Sequence, residues 1–236
     1  MGVRGKFTFG GVSSVTLGLI ISCPAYPIPE RDEEQVEVPG RNGSLLFDNN
    51  RYKNVIVTYN CLIMDYAAHG NAVRALLASK TGYQRLEDSY RPDIYRIARL
   101  SGKMQPKPGP HRRTAEISIS FDCTPQCYVK TGETPITVKN GDAIYNRYSF
   151  AAAPLIRVYG YGNLYIGHDL ITITKFADSY IDIDCSTLDA FCGANNLNSS
   201  IAPAQDNFPL LQPGLNGIKA DSTITKIMIT PRWWTL

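Results

Sequence analysis

Hydrophobic and polar positions alternate along this chain with a period of two almost everywhere, and with a helical period once. The stretch that organises the N-terminal half is Gln35-Val36-Glu37-Val38-Pro39-Gly40-Arg41-Asn42-Gly43-Ser44-Leu45-Leu46. A short alternating strand runs into Pro39-Gly40 and Asn42-Gly43, and an apolar run resumes directly after. Asn-Gly between two such runs predicts a hairpin with a type I′ turn, whose two central residues need positive φ. Arg41 lies beside the predicted tip, where a charge can meet another molecule. The remaining strands of this half are expected to pack around the hairpin.

Further strands are predicted at Lys6–Phe9, Thr16–Ser22 and Asn54–Ile63. The last is β-branched and aromatic, and so apolar at its start that a central strand covered on both faces is expected. Between Ser22 and the hairpin, three prolines and the charge cluster of Pro24–Glu34 predict an extended arm or exposed loop, either a solvated connector or a reach to a neighbouring subunit. The one helical pattern follows Gly70, with Asn71 as the cap, Val73, Leu76 and Leu77 on one face, and Gly82 as the stop. Gln84–Asp88 and Ile94–Leu100 come next. In Ala115–Cys123, Ile117, Ile119, Phe121 and Cys123 alternate with Ser118, Ser120 and Asp122, a half-buried strand that Thr124-Pro125 should end.

After a boundary between Tyr128 and Asn140, short strands recur at Pro154–Tyr159, Leu164–Ile166, Asp169–Thr174, Tyr180–Cys185 and Thr223–Ile229. Strands at this spacing with Gly, Asn and Asp turns predict an antiparallel sandwich. The fold class is therefore mainly β with one or two helices, in two domains, 1–130 and 131–236.

Composition alters this picture little. The chain has 236 residues, 44% hydrophobic and 19% charged, with 14 Tyr, 19 Gly and 15 Pro, which suits many short strands. Net charge is only +3, but it is uneven: residues 1–130 hold 17 Lys and Arg against 12 Asp and Glu, and residues 131–236 hold 7 against 9. The two halves should meet different neighbours.

Candidate chemistry is thin. Only His69, His111 and His168 are available, none with a metal-ligand partner at helical or hairpin spacing. No serine lies in a nucleophile elbow and no glycine-rich loop opens a helix after a strand. The Cys123/Cys127 and Cys185/Cys192 pairs match no common zinc knuckle and fall in different halves. Cys23, Cys61, Cys123 and Cys185 lie in apolar or alternating stretches and read as buried reduced thiols. Asp182 and Asp184 alternate with Ile181 and Ile183, which predicts the wet face of a strand rather than a calcium site. Arg4 and Lys6 before Ile20-Ile21-Ser22-Cys23 outline a lipoprotein cleavage box, but Gly10, Gly11, Ser13, Ser14, Thr16 and Gly18 dilute its apolar core. Lys6 also stands where a myristoylation signal needs Ser or Thr. An enzyme, a cofactor and a membrane anchor are not expected. The basic loop Lys103, Lys107, His111, Arg112, Arg113 reads as a solvated loop or as the lining of a channel that passes DNA without gripping it.

Several stretches together carry a resemblance. They are Phe7-Thr8-Phe9-Gly10-Gly11-Val12-Ser13-Ser14, Val38–Gly43, Leu86-Glu87-Asp88 through Tyr95-Arg96-Ile97-Ala98, and Ile119–Pro125. The second half adds Asn140-Gly141 before Ala153-Pro154-Leu155-Ile156, Leu211–Ile218, and Ile229-Thr230-Pro231-Arg232-Trp233-Trp234. In this order they resemble the distal tail (Dit) proteins of long-tailed bacteriophages over nearly the whole chain. The resemblance implies an N-terminal β-sandwich-like domain forming a six-membered ring with a central channel, which joins the tail tube to the tail-tip or baseplate hub protein. It implies a galectin-like C-terminal sandwich outside the ring that can dock receptor-binding proteins. The location implied is the virion, at the distal end of the tail, after assembly in the bacterial cytoplasm.

A ring closes through two different complementary surfaces on each subunit. The hairpin residues Val38, Gly40, Arg41, Asn42 and Gly43 are the candidate interface, through β-augmentation, and Lys103, Lys107, Arg112 and Arg113 the candidate channel lining. The alternative is a lectin-like module for attachment to the host cell wall, with Trp233 and Trp234 as the stacking residues. Adjacent strand residues face opposite ways, so at most one Trp can serve a given groove. One is expected to plug the core and the other to cover an edge or the ring domain.

Overall fold

The computed structural model describes residues 5–204 and 207–236, with the side chain of Arg112 excluded. Arg4, part of the lipoprotein outline, lies outside the described residues. The chain is mainly β, with one α-helix among the described residues, and divides into two compact units that meet in sequence at Cys127/Tyr128, with Leu236 returning to the first.

The first unit is built on one antiparallel sheet. Its principal order is Val12–Ser13, Phe7–Phe9, Gln84–Asp88, Ile94–Ser101, Thr114–Val129, Val55–Met64 and Leu19–Ile21. An antiparallel bridge between Gly5 and Ile21 brings the last strand back beside the segment that enters the first, so the sheet curls round on itself. Inside the curl, alternate residues bury Val55, Val57, Tyr59, Cys61 and Ile63 from one strand, and Ala115, Ile117, Ile119, Phe121 and Cys123 from its partner. Phe7, Phe9, Tyr59 and Phe121 form the aromatic centre, with ring centroids 4.9 Å apart for Phe9–Phe121 and 5.2 Å for Phe7–Tyr59. The outer face is polar: Thr58 meets Ser120 at 2.9 Å and Ser118 donates to Asn60 at 2.8 Å.

Several expectations change here. Val55–Met64 is flanked on both edges but covered on one face only, and Ile56 is 49% exposed. Apolar content cannot reveal which face lacks a covering layer. Thr124-Pro125 does not end its strand, which runs on to Val129. The predicted strand Thr16–Ser22 is a 3₁₀ turn, Val15–Leu17, followed by Leu19–Ile21. The helix begins earlier than Asn71, spanning Tyr66–Ser79 with Asp65 as cap, its side chain accepting from the Ala68 amide at 3.4 Å. Gly70 is therefore internal and buried against the Tyr66 ring, while Val73 and Leu76 face the core. Cys23 is exposed, whereas Cys61, Cys123, Cys127 and Cys185 are buried as free thiols. Burial pushes the Cys61, Cys123 and Cys185 thiols up to about 12, so they are inert near neutral pH.

The second unit holds two antiparallel sheets. One has the order Ile136–Val138, Lys226–Thr230, Leu155–Tyr159, Ile181–Asp184, Asp189–Cys192 and Asn195–Asn196. The other has the order Ala143–Asn146, Gly214–Ala220, Gly162–Ile166, Asp169–Ile173 and Ile201–Pro203. Ile156, Val158, Ile181, Ile183, Ile227 and Ile229 of the first sheet, and Leu164, Ile166, Ile171, Ile173 and Ile218 of the second, are buried: the β-sandwich expected from strand spacing.

Asp182 and Asp184 overturn the wet-face expectation: they are 4% and 9% exposed. Asp182 takes both forks of Arg157 at 2.7 Å, and Asp184 takes Arg232 at 2.6 and 2.8 Å. An arginine laid across an outward-facing carboxylate covers it, which alternation alone does not reveal.

Candidate assembly surface

The hairpin that sequence placed at the centre of the N-terminal half is outside its core. Among the described residues Arg31–Glu37 and Ser44–Tyr52 pair only with each other, antiparallel, and nearly every residue in both is exposed. The turn chemistry also differs from expectation. Glu37 pairs with Ser44, which leaves a six-residue loop, Val38–Gly43. The Arg41 amide donates to the Val38 carbonyl at 3.1 Å with Gly40 at φ +80°, so Pro39-Gly40 form the centre of a type II turn. Gly43 takes the second positive φ, +81°, and Asn42 has none. Proline at the first central position favours this turn over an Asn-Gly one, because its fixed φ is already correct.

The base of the hairpin is held in register. The Lys53 amide donates to the Glu30 carbonyl at 2.9 Å, Arg31 pairs with Asp48, and Arg51 reaches Asp32 at 2.6 Å. The Arg31 guanidinium and the Asn50 amide hold the Asp48 carboxyl below the usual carboxylate range. A bulge between Arg31 and Glu33 adds twist there.

The predicted arm ends sooner than expected, because Arg31–Glu34 belong to this hairpin rather than to a loop. Its start is pinned to the first unit: Tyr26 and Tyr59 donate to the same Asp88 oxygen at 2.8 and 2.7 Å. The other Asp88 oxygen accepts from the Tyr90 and Arg91 amides at 2.8 and 2.9 Å. Burial first, then the Asp88 carboxylate, push both phenols well above their ordinary range. Ile28 of this arm is 84% exposed.

What the pinned base presents is apolar and acidic. Leu46 and Phe47 are each 56% exposed, and Val36 and Val38 stand out as well. Val36 lies opposite Leu45 and Glu34 opposite Phe47, which puts Val36, Leu45 and Phe47 on one face. Sequence reading chose the loop residues and missed these three. The signal in the sequence was the apolar run Leu45-Leu46-Phe47 directly after the turn. Glu37, Val38, Pro39, Arg41 and Gly43 line an open hollow at the tip.

The other candidates are placed as follows. Lys107–Pro108 pairs with Ala115–Glu116, and Gly109 donates to the Thr114 carbonyl, so the basic loop is itself a small hairpin. Lys103, Lys107 and Arg113 are exposed on it. Trp233 is 8% exposed and sits near Tyr148, with ring centroids 6.3 Å apart. Trp234 is stacked on Phe150 at 4.4 Å and donates its indole N–H to the Ala151 carbonyl at 2.9 Å. Trp233 is thus buried, and one face and the N–H of Trp234 are engaged within the protein. Among the described residues no group of three or more His, Cys, Asp and Glu is placed to hold a metal, and no helix is long and apolar enough to cross a membrane.

No family model and no curated protein matches the chain. Solved structures do. The Dit protein (gp19.1) of phage SPP1, described as a hub adsorption apparatus protein of phages infecting Gram-positive bacteria, matches with a TM-score of 0.73 and 10% identity, over 95% of this chain and 97% of that one. A chain of the phage P2 baseplate in its activated conformation matches at 11% identity over 97% of this chain and 98% of that one, with TM-scores of 0.50 in the calcium form and 0.51 in the strontium form. With both units covered at once by chains of nearly equal length, the protein has the fold of the phage distal tail proteins.

Proposed function

We propose that this chain is a structural protein of a phage tail. Six copies form a ring at the distal end, joining the tail tube to the tail-tip or baseplate hub protein and letting DNA pass through. The first unit makes the ring. The second stands outside it, where the exposed pair Tyr145 and Leu215 offers a place to dock a receptor-binding protein. The protein does its work in the virion after assembly in the bacterial cytoplasm, carries no cofactor and catalyses no reaction.

The observation that carries this reading is the hairpin Arg31–Tyr52, joined at its base by a hydrogen bond and ion pairs and bare on both faces, with Val36, Leu46 and Phe47 in solvent. A long exposed strand pair of this kind is a hazard in a monomer and a tool in an assembly. We rank the lectin alternative second, because Trp233 is buried and Phe150 stacks on one face of Trp234. The test is co-assembly with the tube and hub proteins of the same phage. The ring reading expects this protein to elute in one complex with both; binding to neither would contradict it.

A further inference from the structure

The hairpin's first strand and its approach carry Glu30, Glu33, Glu34 and Glu37, all exposed, and none has an ion-pair partner among the described residues. Of the hairpin's cations, Arg31 and Arg51 are committed to Asp48 and Asp32, while Arg41, which lines the tip hollow with Glu37, has no ion pair among the described residues. On the same unit, Lys103, Lys107 and Arg113 stand exposed on the basic loop, without an ion pair among the described residues, although Glu116 lies opposite Lys107 in the register. One subunit therefore shows carboxylates on an exposed strand and cations on an exposed loop that make no direct ion pair among the described residues.

We propose that Glu33, Glu34 and Glu37 of one copy dock on Lys103, Lys107 and Arg113 of the next. This rests on the ring reading and deepens it by naming both halves of the joint. A head-to-tail ring needs two different surfaces that fit each other, and opposite charge supplies that fit while opposing the wrong pairing of like with like. The alternative, a bore lined by these cations, meets a physical objection. Rows of unpaired Lys and Arg repeated in every subunit would release counterions on contact with DNA and hold it, where passage requires weak contact. Cations spent on a neighbour's carboxylates do not do this. Glu34 lies on the Val36, Leu45 and Phe47 face and Glu33 and Glu37 on the Leu46 face, so the loop straddles this strand's free edge; apolar side chains of both faces give the joint strength, and the charges give it its partner.

The experiment uses the full chain and three forms: wild type, a hairpin variant carrying Glu33→Lys, Glu34→Lys and Glu37→Lys, and a loop variant carrying Lys103→Glu, Lys107→Glu and Arg113→Glu. Each variant alone should need at least about 100-fold more protein to assemble, because three attractive pairs become repulsive at every joint. Mixed one to one, they should assemble again within about tenfold of wild type, since each reversed hairpin meets a reversed loop. Unchanged melting temperatures show that both variants fold. If wild type assembles and both variants assemble equally well, the charge joint is wrong and the ring reading stands. Variants that lose assembly but fail to rescue each other also overturn the joint. A loop variant that assembles normally and loses only salt-sensitive DNA binding assigns the loop to nucleic acid instead. Wild type that stays monomeric removes the ring reading itself.

Discussion

Placing aspartate at Leu46 and Phe47 is expected to turn the assembled protein into single chains without unfolding them. Both side chains are more than half exposed and lie on opposite faces of the Arg31–Tyr52 hairpin, away from the aromatic core around Phe121. Taking a large apolar side chain out of water is worth about 1.5–3 kcal/mol. Losing two such terms and burying charge instead weakens each joint by a factor of about 100 or more. In a ring every joint is the same, so the loss recurs all the way round. Thermal melting should move by no more than a degree or two, while light scattering falls to the subunit mass of 26.1 kDa. A variant that keeps its assembled mass would show that the hairpin is not at the joint.

The second large effect is at Asp184. Burial alone would push this carboxyl up, but the Arg232 guanidinium, the Ser186 hydroxyl and the Ser186 amide outweigh it and hold it well below the usual carboxylate range. Arg232 sits at φ +56° immediately before Trp233 and Trp234, so the pair also fixes the chain that leads into the terminal strand Trp234–Thr235. Removing one partner of a buried ion pair costs about 3–5 kcal/mol, and the partly exposed Arg232 lowers this to about 2–3 kcal/mol for Asp184→Ala. That should lower the melting temperature of the second unit by about 10 °C. The pH dependence has a definite sign. A carboxyl whose folded pKa is depressed stabilises above its unfolded value near 3.9 and loses that contribution as pH falls through the folded value. The gap between wild type and Asp184→Ala should hold from about pH 5 to 8 and narrow below about pH 4. A gap that widened in acid, or none at neutral pH, would contradict this account of the pair.

Periodicity carried most of the fold. Ile117, Ile119 and Phe121 against Ser118 and Ser120, and the Gly- and Asn-bounded strands after Asn140, placed the sandwich because a half-buried strand must alternate. It failed where covering depends on side chains from elsewhere. Asp182 and Asp184 alternate with isoleucine as wet residues do, yet Arg157 and Arg232 lie over them. It failed again where an apolar run has no layer to meet. Leu45-Leu46 after the turn reads as an apolar run with strands packed around it, and only the sheet order leaves it outside. The hairpin's position was legible from Pro39-Gly40 and Gly43; its six-residue loop was not, because Pro39-Gly40 competes with Asn42-Gly43 for the turn.

The central claim is that this chain works by locking identical copies together through the faces and charges of an exposed hairpin. Electron micrographs of the purified wild-type protein at high concentration address it most directly. The account predicts closed rings of about six times the 26.1 kDa subunit mass, with an open centre. A field of single chains, still monomeric when the tube and hub proteins are added, would contradict it.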